Sequence, residues 1–170
     1  MRVSMVPHNL AWRHEFQREA ERASAAVGSN AVTAHHIGST AIPTVYAKPV
    51  IDILLVVQDL AALDEKQPEM EALGYEARGE YGIAGRRFFR RDNEHGDRTH
   101  QIHAFEDGSP QIARHLAFRD YMIAHPEAAQ AYSDLKRELA AKHPEDIEAY
   151  MDGKDAFIQE IDKRAAQEER

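Results

Sequence analysis

The sequence predicts an α+β fold: a small mixed β-sheet with helices packed on it, followed by a helical C-terminal part. Three observations carry this. Val50 to Val57 is a near-continuous apolar run with one charge, Asp52, and reads as a strand buried on both faces. Tyr75 to Phe105 alternates polar and apolar residues between glycine-rich and Asn/Asp-rich turns, the pattern of antiparallel strands. From Ser109 onward apolar residues recur at helical spacing, broken at His125-Pro126 and His143-Pro144. The sheet core is placed at about 31–106 and the C-terminal helices at about 110–167. A chain of 170 residues fits one domain.

Pro7 to Val27 reads as the first helix, with Asn9 as its N-cap and Leu10, Trp12, Phe16, Ala20 and Ala23 as its apolar stripe. Gly28 to Asn30 ends it, and Ala31 to Ile37 is a short strand broken by Gly38, Ser39 and Thr40. Pro43 and Pro49 keep the next connection from forming one long helix. Asp59 to Leu73 reads as a second helix, weakened at Pro68 and stopped at Gly74. Tyr75 to Ala77, Arg86 to Arg91 and Arg98 to Phe105 are the remaining strands, with Gly79 to Gly85 a glycine-rich connection. Alternation places Gln101, His103 and Phe105 on one face and His100, Ile102 and Ala104 on the other. It likewise separates Arg86, Phe88 and Arg90 from Arg87, Phe89 and Arg91.

Composition removes several classes of chemistry. The chain has no cysteine, which excludes disulfides, thiolate zinc sites and cysteine nucleophiles. A formal net charge of −8 argues against wrapping a nucleic-acid backbone. The stretch Met1 to Phe16 lacks a signal-peptide core, and no apolar run approaches the ~20 residues that cross a bilayer. The expectation is a cytoplasmic protein with no membrane partner.

The residues that could carry chemistry gather around one stretch. Gly38, Ser39 and Thr40 form a turn whose N–H groups and hydroxyls suit a phosphate, and Asp52 on the next strand suits the accompanying cation. Lys48 could neutralise a phosphate as a point charge. Two arginines on one strand face, from Arg86, Arg87, Arg90 and Arg91, could grip a phosphate. His100 and His103 are candidates for metal binding or acid–base work. Arg119, Asp120, Lys136 and Lys154 lie on helices that could close a pocket over the sheet. Each has a plainer reading: a carboxylate capping a backbone, a solvated loop lysine, arginines blunting a sheet edge, core-edge histidines and surface helix charges. Residue pattern alone leaves both readings open.

Taken together and in order, HIGSTAIP, AKPVIDILLVV, GRRFF, RTHQIH, HLAFRDYMIAHPEAAQAYSDLK and YMDGKDAFI resemble the GrpB family, small proteins placed in the nucleotidyltransferase superfamily. The resemblance spans nearly the whole chain. It implies a nucleotidyltransferase-like mixed sheet with packed helices and a helical C-terminal part. It also implies that Gly38 and Ser39 match the phosphate-holding turn and Asp52 the first metal-holding carboxylate. The second carboxylate position is Leu54, and Gln101 stands where the family commonly has the first of two histidines, with His103 kept. GrpB-like domains also occur fused to dephospho-CoA kinase, an association with coenzyme A metabolism.

Two functions follow. In the first, the protein is a nucleotidyl or phosphoryl transferase with an altered site. Asp52 and His103 do the chemistry and hold a divalent metal, while Gly38, Ser39, Thr40, Lys48, Arg86, Arg87, Lys136 and Lys154 hold a nucleotide or phosphorylated small molecule. In the second, the same residues bind without turnover, or the domain is a structural partner that has lost the standard metal site. Both transfer and ligand binding call for Ser39 and Asp52 at one cleft, with His103 on the same sheet face.

Overall fold

The computed structural model describes residues 5–43 and 45–168. In chain order the elements are helix α1 (Ala11–Val27), strand β1 (Ala31–Ile37), strand β2 (Ile51–Val57), helices α2 (Leu60–Glu65) and α3 (Gln67–Ala72), and strand β3 (Glu76–Ala77). Strands β4 (Arg86–Asp92) and β5 (Arg98–Glu106) follow, then helices α4 (Pro110–Ala124), α5 (Pro126–Lys142) and α6 (Ile147–Glu168). The fold is mixed α+β, as the residue pattern predicts.

The chain divides into two compact units. A sheet unit comprises Leu10–Gly38 and Val50–Ala113. A helical unit comprises the described parts of Met1–Asn9, Ser39–Pro49 and Arg114–Arg170.

The sheet unit holds a five-stranded sheet of order β1-β2-β5-β4-β3. β2 and β5 run parallel at its centre, and the other neighbours are antiparallel. The central position explains the composition of β2: Ile51, Ile53, Leu54, Leu55, Val56 and Val57 are all buried, and β-branched side chains suit a strand covered on both faces. α1 covers one face, with the Phe16 ring stacked on His36 at 4.8 Å. α2 covers the same face farther along, where Asp64 meets Arg87.

Two local expectations are corrected. The first helix begins at Ala11, its N-cap position is Leu10, and no side chain caps it, so Asn9 is not the cap. Leu10 is 83% exposed and is no part of the apolar stripe, which Trp12 and Ala23 anchor. The helix read from Asp59 to Leu73 is broken where Pro68 weakens it, dividing at Lys66. Pro68 is the cause: it has no N–H and a fixed φ, so it is accommodated in the first turn of α3 rather than within a longer helix. Asp59 caps α2 by accepting from the Ala61 N–H at 3.0 Å.

The helical unit has its own core. Ile42 and Val45 pack with Met122, Ala128, Ala129, Tyr132 and Ile161. A second cluster joins Leu139 and Tyr150, with Met5 and Ile147 against it. The breaks at His125-Pro126 and His143-Pro144 fall at the ends of α4 and α5, as predicted.

Candidate functional site

In the sheet unit, register sets the neighbours of Asp52. It lies opposite Ile37 of β1 and Gln101 of β5, while His103 lies opposite Phe88 of β4. Paired residues point the same way, so Asp52, Gln101, His103, Phe88 and Arg86 share one sheet face. Arg87, Arg91 and His100 occupy the other.

Asp52 is held by neutral donors. His103 Nε2 lies 3.0 Å from its Oδ1. With the Gln101 amide oriented so that both its neighbours are satisfied, its nitrogen donates to the same Oδ1 at 2.9 Å and its oxygen accepts from Arg98 Nη1 at 3.1 Å. Arg86 Nη1 lies 3.3 Å from His103 Nδ1. A guanidinium only donates, so Nδ1 is the acceptor and Nε2 carries the proton given to Asp52. The Asp52 side chain keeps 23% of its surface exposed. Its Oδ2 faces Gly38, where φ is +75° and an added Cβ would sit 2.6 Å from that oxygen. Only glycine brings the turn this close to the carboxylate.

Arg86 is buried. Its other donors reach the Glu80 carbonyl at 3.1 Å and the Tyr81 carbonyl at 2.8 Å, and its guanidinium lies 4.9 Å from the Phe88 ring centre. Burial pulls its pKa below the ordinary value. Arg86 is therefore committed to holding the Gly79–Gly85 connection against the Asp52 face. Arg87 is not on the Asp52 face, as strand alternation predicts. It points to the opposite face and makes a two-pronged pair with Asp64 at 2.7 and 3.2 Å. A cleft of about 410 Å³ opens there beside Asp64, Glu80, Arg87 and Phe89.

His100 is likewise absent from the Asp52 face. It lies in a buried network in which Arg91 Nη2 approaches its Nδ1 at 3.0 Å. Burial first, and then the Arg91 charge, push its pKa down to about 4. Glu19 accepts from Tyr75, Arg91 and Arg22 in the same network.

In the helical unit, Ser39–Ala41 is a single 3-10 turn. Lys136 of α5 is 1% exposed, and its Nζ lies 2.5 Å from Ser39 Oγ. Thr40, on the same turn, is buried. Lys136 Nζ also lies 4.8 Å from the Tyr132 ring centre. Lys48 and Lys154 flank the buried Tyr150 ring, at 5.3 and 5.1 Å from its centre. Ser39, Thr40, Lys48, Lys136 and Lys154 therefore all belong to this unit, while Gly38, Asp52, His103, Arg86 and Arg87 belong to the sheet unit. The residue pattern did not single out Tyr132 and Tyr150. The available signal was the spacing Tyr-x-x-x-Lys, which occurs as YSDLK and YMDGK in the last two helices and puts each ring on the face of its lysine.

The acid set does not fit a divalent-metal cluster. Among the described residues no three His, Cys, Asp or Glu side chains come close enough to hold an ion. Leu54, where the resemblance implies a second carboxylate, is fully buried and aliphatic.

The GrpB family model, described as GrpB protein, matches residues 2–164. This chain belongs to the GrpB family. It is 43% identical over 164 residues to the UPF0157 protein YqkA of Bacillus subtilis, covering 96% of this chain and 47% of that one, so it spans about half of that relative's length. It is 32% identical over 187 residues to a protein of Mycolicibacterium paratuberculosis named dephospho-CoA kinase, covering 96% of this chain and 46% of that one. The crystal structure of the conserved protein GrpB from Enterococcus faecalis superposes with a TM-score of 0.92 at 40% identity, covering 97% of this chain and 98% of that one. The Cid1 poly(U) polymerase with MgGTP bound matches at a TM-score of 0.56 and 12% identity, over 79% of this chain and 44% of that one. That likeness is one of fold alone. No helix of the described residues is long and apolar enough to cross a membrane.

Proposed function

We propose that this GrpB protein binds a nucleotide or phosphorylated metabolite through Lys136, Ser39 and Thr40, with Lys48 and Lys154 adding positive charge. The observation that carries the reading is the contact of a fully buried lysine with the turn serine, Nζ to Oγ at 2.5 Å. An ammonium beside a hydroxyl supplies charge and directed donors to an anion. Three lysines lie against two tyrosine rings of this unit. The kinship with a protein named dephospho-CoA kinase supports including coenzyme A precursors among the ligands, and the Cid1 likeness supports including nucleotides.

A thermal-shift screen of nucleotides and coenzyme A precursors tests this. A ligand at a hundred times its dissociation constant adds ~2.7 kcal/mol. The expected result is stabilisation of the wild-type protein by at least one phosphorylated ligand and its loss in Lys136→Met, which keeps the side-chain length without the charge. If no phosphorylated compound stabilises the protein, the reading fails. Leu54 favours binding without turnover, because an aliphatic side chain cannot contribute an oxygen ligand for phosphoryl transfer. Product formation from a stabilising nucleotide would reverse that preference.

A further inference from the structure

The superfamily resemblance assigns Asp52 to a metal ion, and its surroundings here do not match that role. We propose that Asp52 is not a metal-holding carboxylate, and that Gln101 is the residue that closes it to divalent cations.

A metal-holding carboxylate works with other anionic oxygens, and the charge count sets the affinity. Asp52 has instead two neutral donors on one oxygen: His103 Nε2 at 3.0 Å and the Gln101 amide at 2.9 Å. Both have a support that fixes their direction. Arg86 donates to the far side of His103, and Arg98 donates to the far side of Gln101. These two arginines also place positive charge behind the donors, which opposes the approach of a cation. Oδ1 is thus engaged twice. Oδ2 accepts no hydrogen bond from the described residues and lies by the Gly38 turn. Gln101 decides the outcome because it stands directly opposite Asp52 in the central parallel pair. A carboxylate at that position would face Asp52 across the strands and create the paired oxygens that a cation needs.

Manganese binding, read by electron paramagnetic resonance of the free ion, tests the assignment without any organic ligand. The wild-type protein and Asp52→Asn are expected to bind manganese equally weakly. Gln101→Glu is expected to bind at least about tenfold more tightly, the scale on which a metal's surroundings tune its affinity. The added substitution Asp52→Asn is expected to abolish that gain. Circular dichroism and thermal unfolding establish that each variant is folded. Manganese binding by the wild-type protein that Asp52→Asn removes would overturn the proposal. A folded Gln101→Glu that gains nothing would overturn the role of Gln101.

Discussion

The hydroxyl of Tyr75 donates to Oε1 of Glu19 at 2.8 Å, joining the segment before β3 to helix α1 across the interior of the sheet unit. Arg91 donates to the same oxygen at 2.5 Å, and Arg22 to the other at 3.1 Å. A buried carboxylate of this kind is costly until its donors are in place. Burial alone would raise the Glu19 pKa, but the Tyr75 hydrogen bond and the Arg91 charge overcome it and leave the value below the ordinary one. Tyr75→Phe is expected to cost about 1–2 kcal/mol in urea denaturation. Glu19→Ala is expected to cost about 3 kcal/mol or more, because it strands the Arg91 charge.

The same network gives stability a dependence on pH. His100 has a folded pKa of about 4 against 6.5 in the unfolded chain. Between those values the unfolded chain takes up a proton that the folded one refuses, so stability falls as pH is lowered from 6.5 to 4. Glu19 acts in the same direction at lower pH: its contribution is present above its unfolded value of 4.5 and is lost as pH falls through its depressed folded value. The groups bearing on His100 are Arg91, Glu19, Arg18 and Arg22. His100→Gln should flatten the upper part of this profile, measured by urea denaturation at several pH values. An unchanged slope between pH 6.5 and 4 would assign the dependence elsewhere.

Gly38 and Gly28 form a natural pair of probes. Both have positive φ, +75° and +78°, but an added Cβ meets Asp52 Oδ2 at Gly38 and nothing within 4 Å at Gly28. Gly28→Ala should therefore cost only the backbone term, about 1–3 kcal/mol. Gly38→Ala should cost more by at least about 1 kcal/mol and should move the Asp52 side chain. Equal losses in the two variants would mean that the carboxylate gives way freely.

Arg86 and Arg87 are neighbours with opposite expectations. Arg86→Ala removes the donors of two loop carbonyls and should destabilise by about 2–4 kcal/mol. Arg87→Ala breaks a pair whose Asp64 partner is half exposed and should cost under about 1 kcal/mol. The affinity for any ligand found in the nucleotide screen should survive Arg87→Ala. A loss there would show that the opposite sheet face takes part in binding.

Much of this was legible in the chain because it depends on local pattern. The apolar run of β2, the alternation that separates His103 from His100 and Arg86 from Arg87, and the two His-Pro breaks all appear in the structure where periodicity places them. What was not legible depends on register or on distant packing. Gln101 is an ordinary polar residue in sequence, and only the parallel pairing of β2 with β5 sets it opposite Asp52. Ser39 and Lys136 are 97 positions apart, and no spacing rule joins them. Leu10 misled because an apolar residue in phase with a stripe gives no sign that the helix starts one residue later.

The helical unit is assembled from pieces of chain that are far apart in time as well as in sequence. Ile42 and Val45 are synthesised between β1 and β2, yet their packing partners on α4, α5 and α6 leave the ribosome only after the entire sheet has been made. Because chains emerge from their N-terminal end, the segment that carries Ser39 must wait, tethered at both ends to strands, for the lysine that meets it. A nascent chain stalled before α5 would therefore hold its sheet residues and lack Lys136 altogether. On this order of events, the contact between Ser39 and Lys136 forms only after the entire sheet has been made, and no product truncated before Lys136 can carry it.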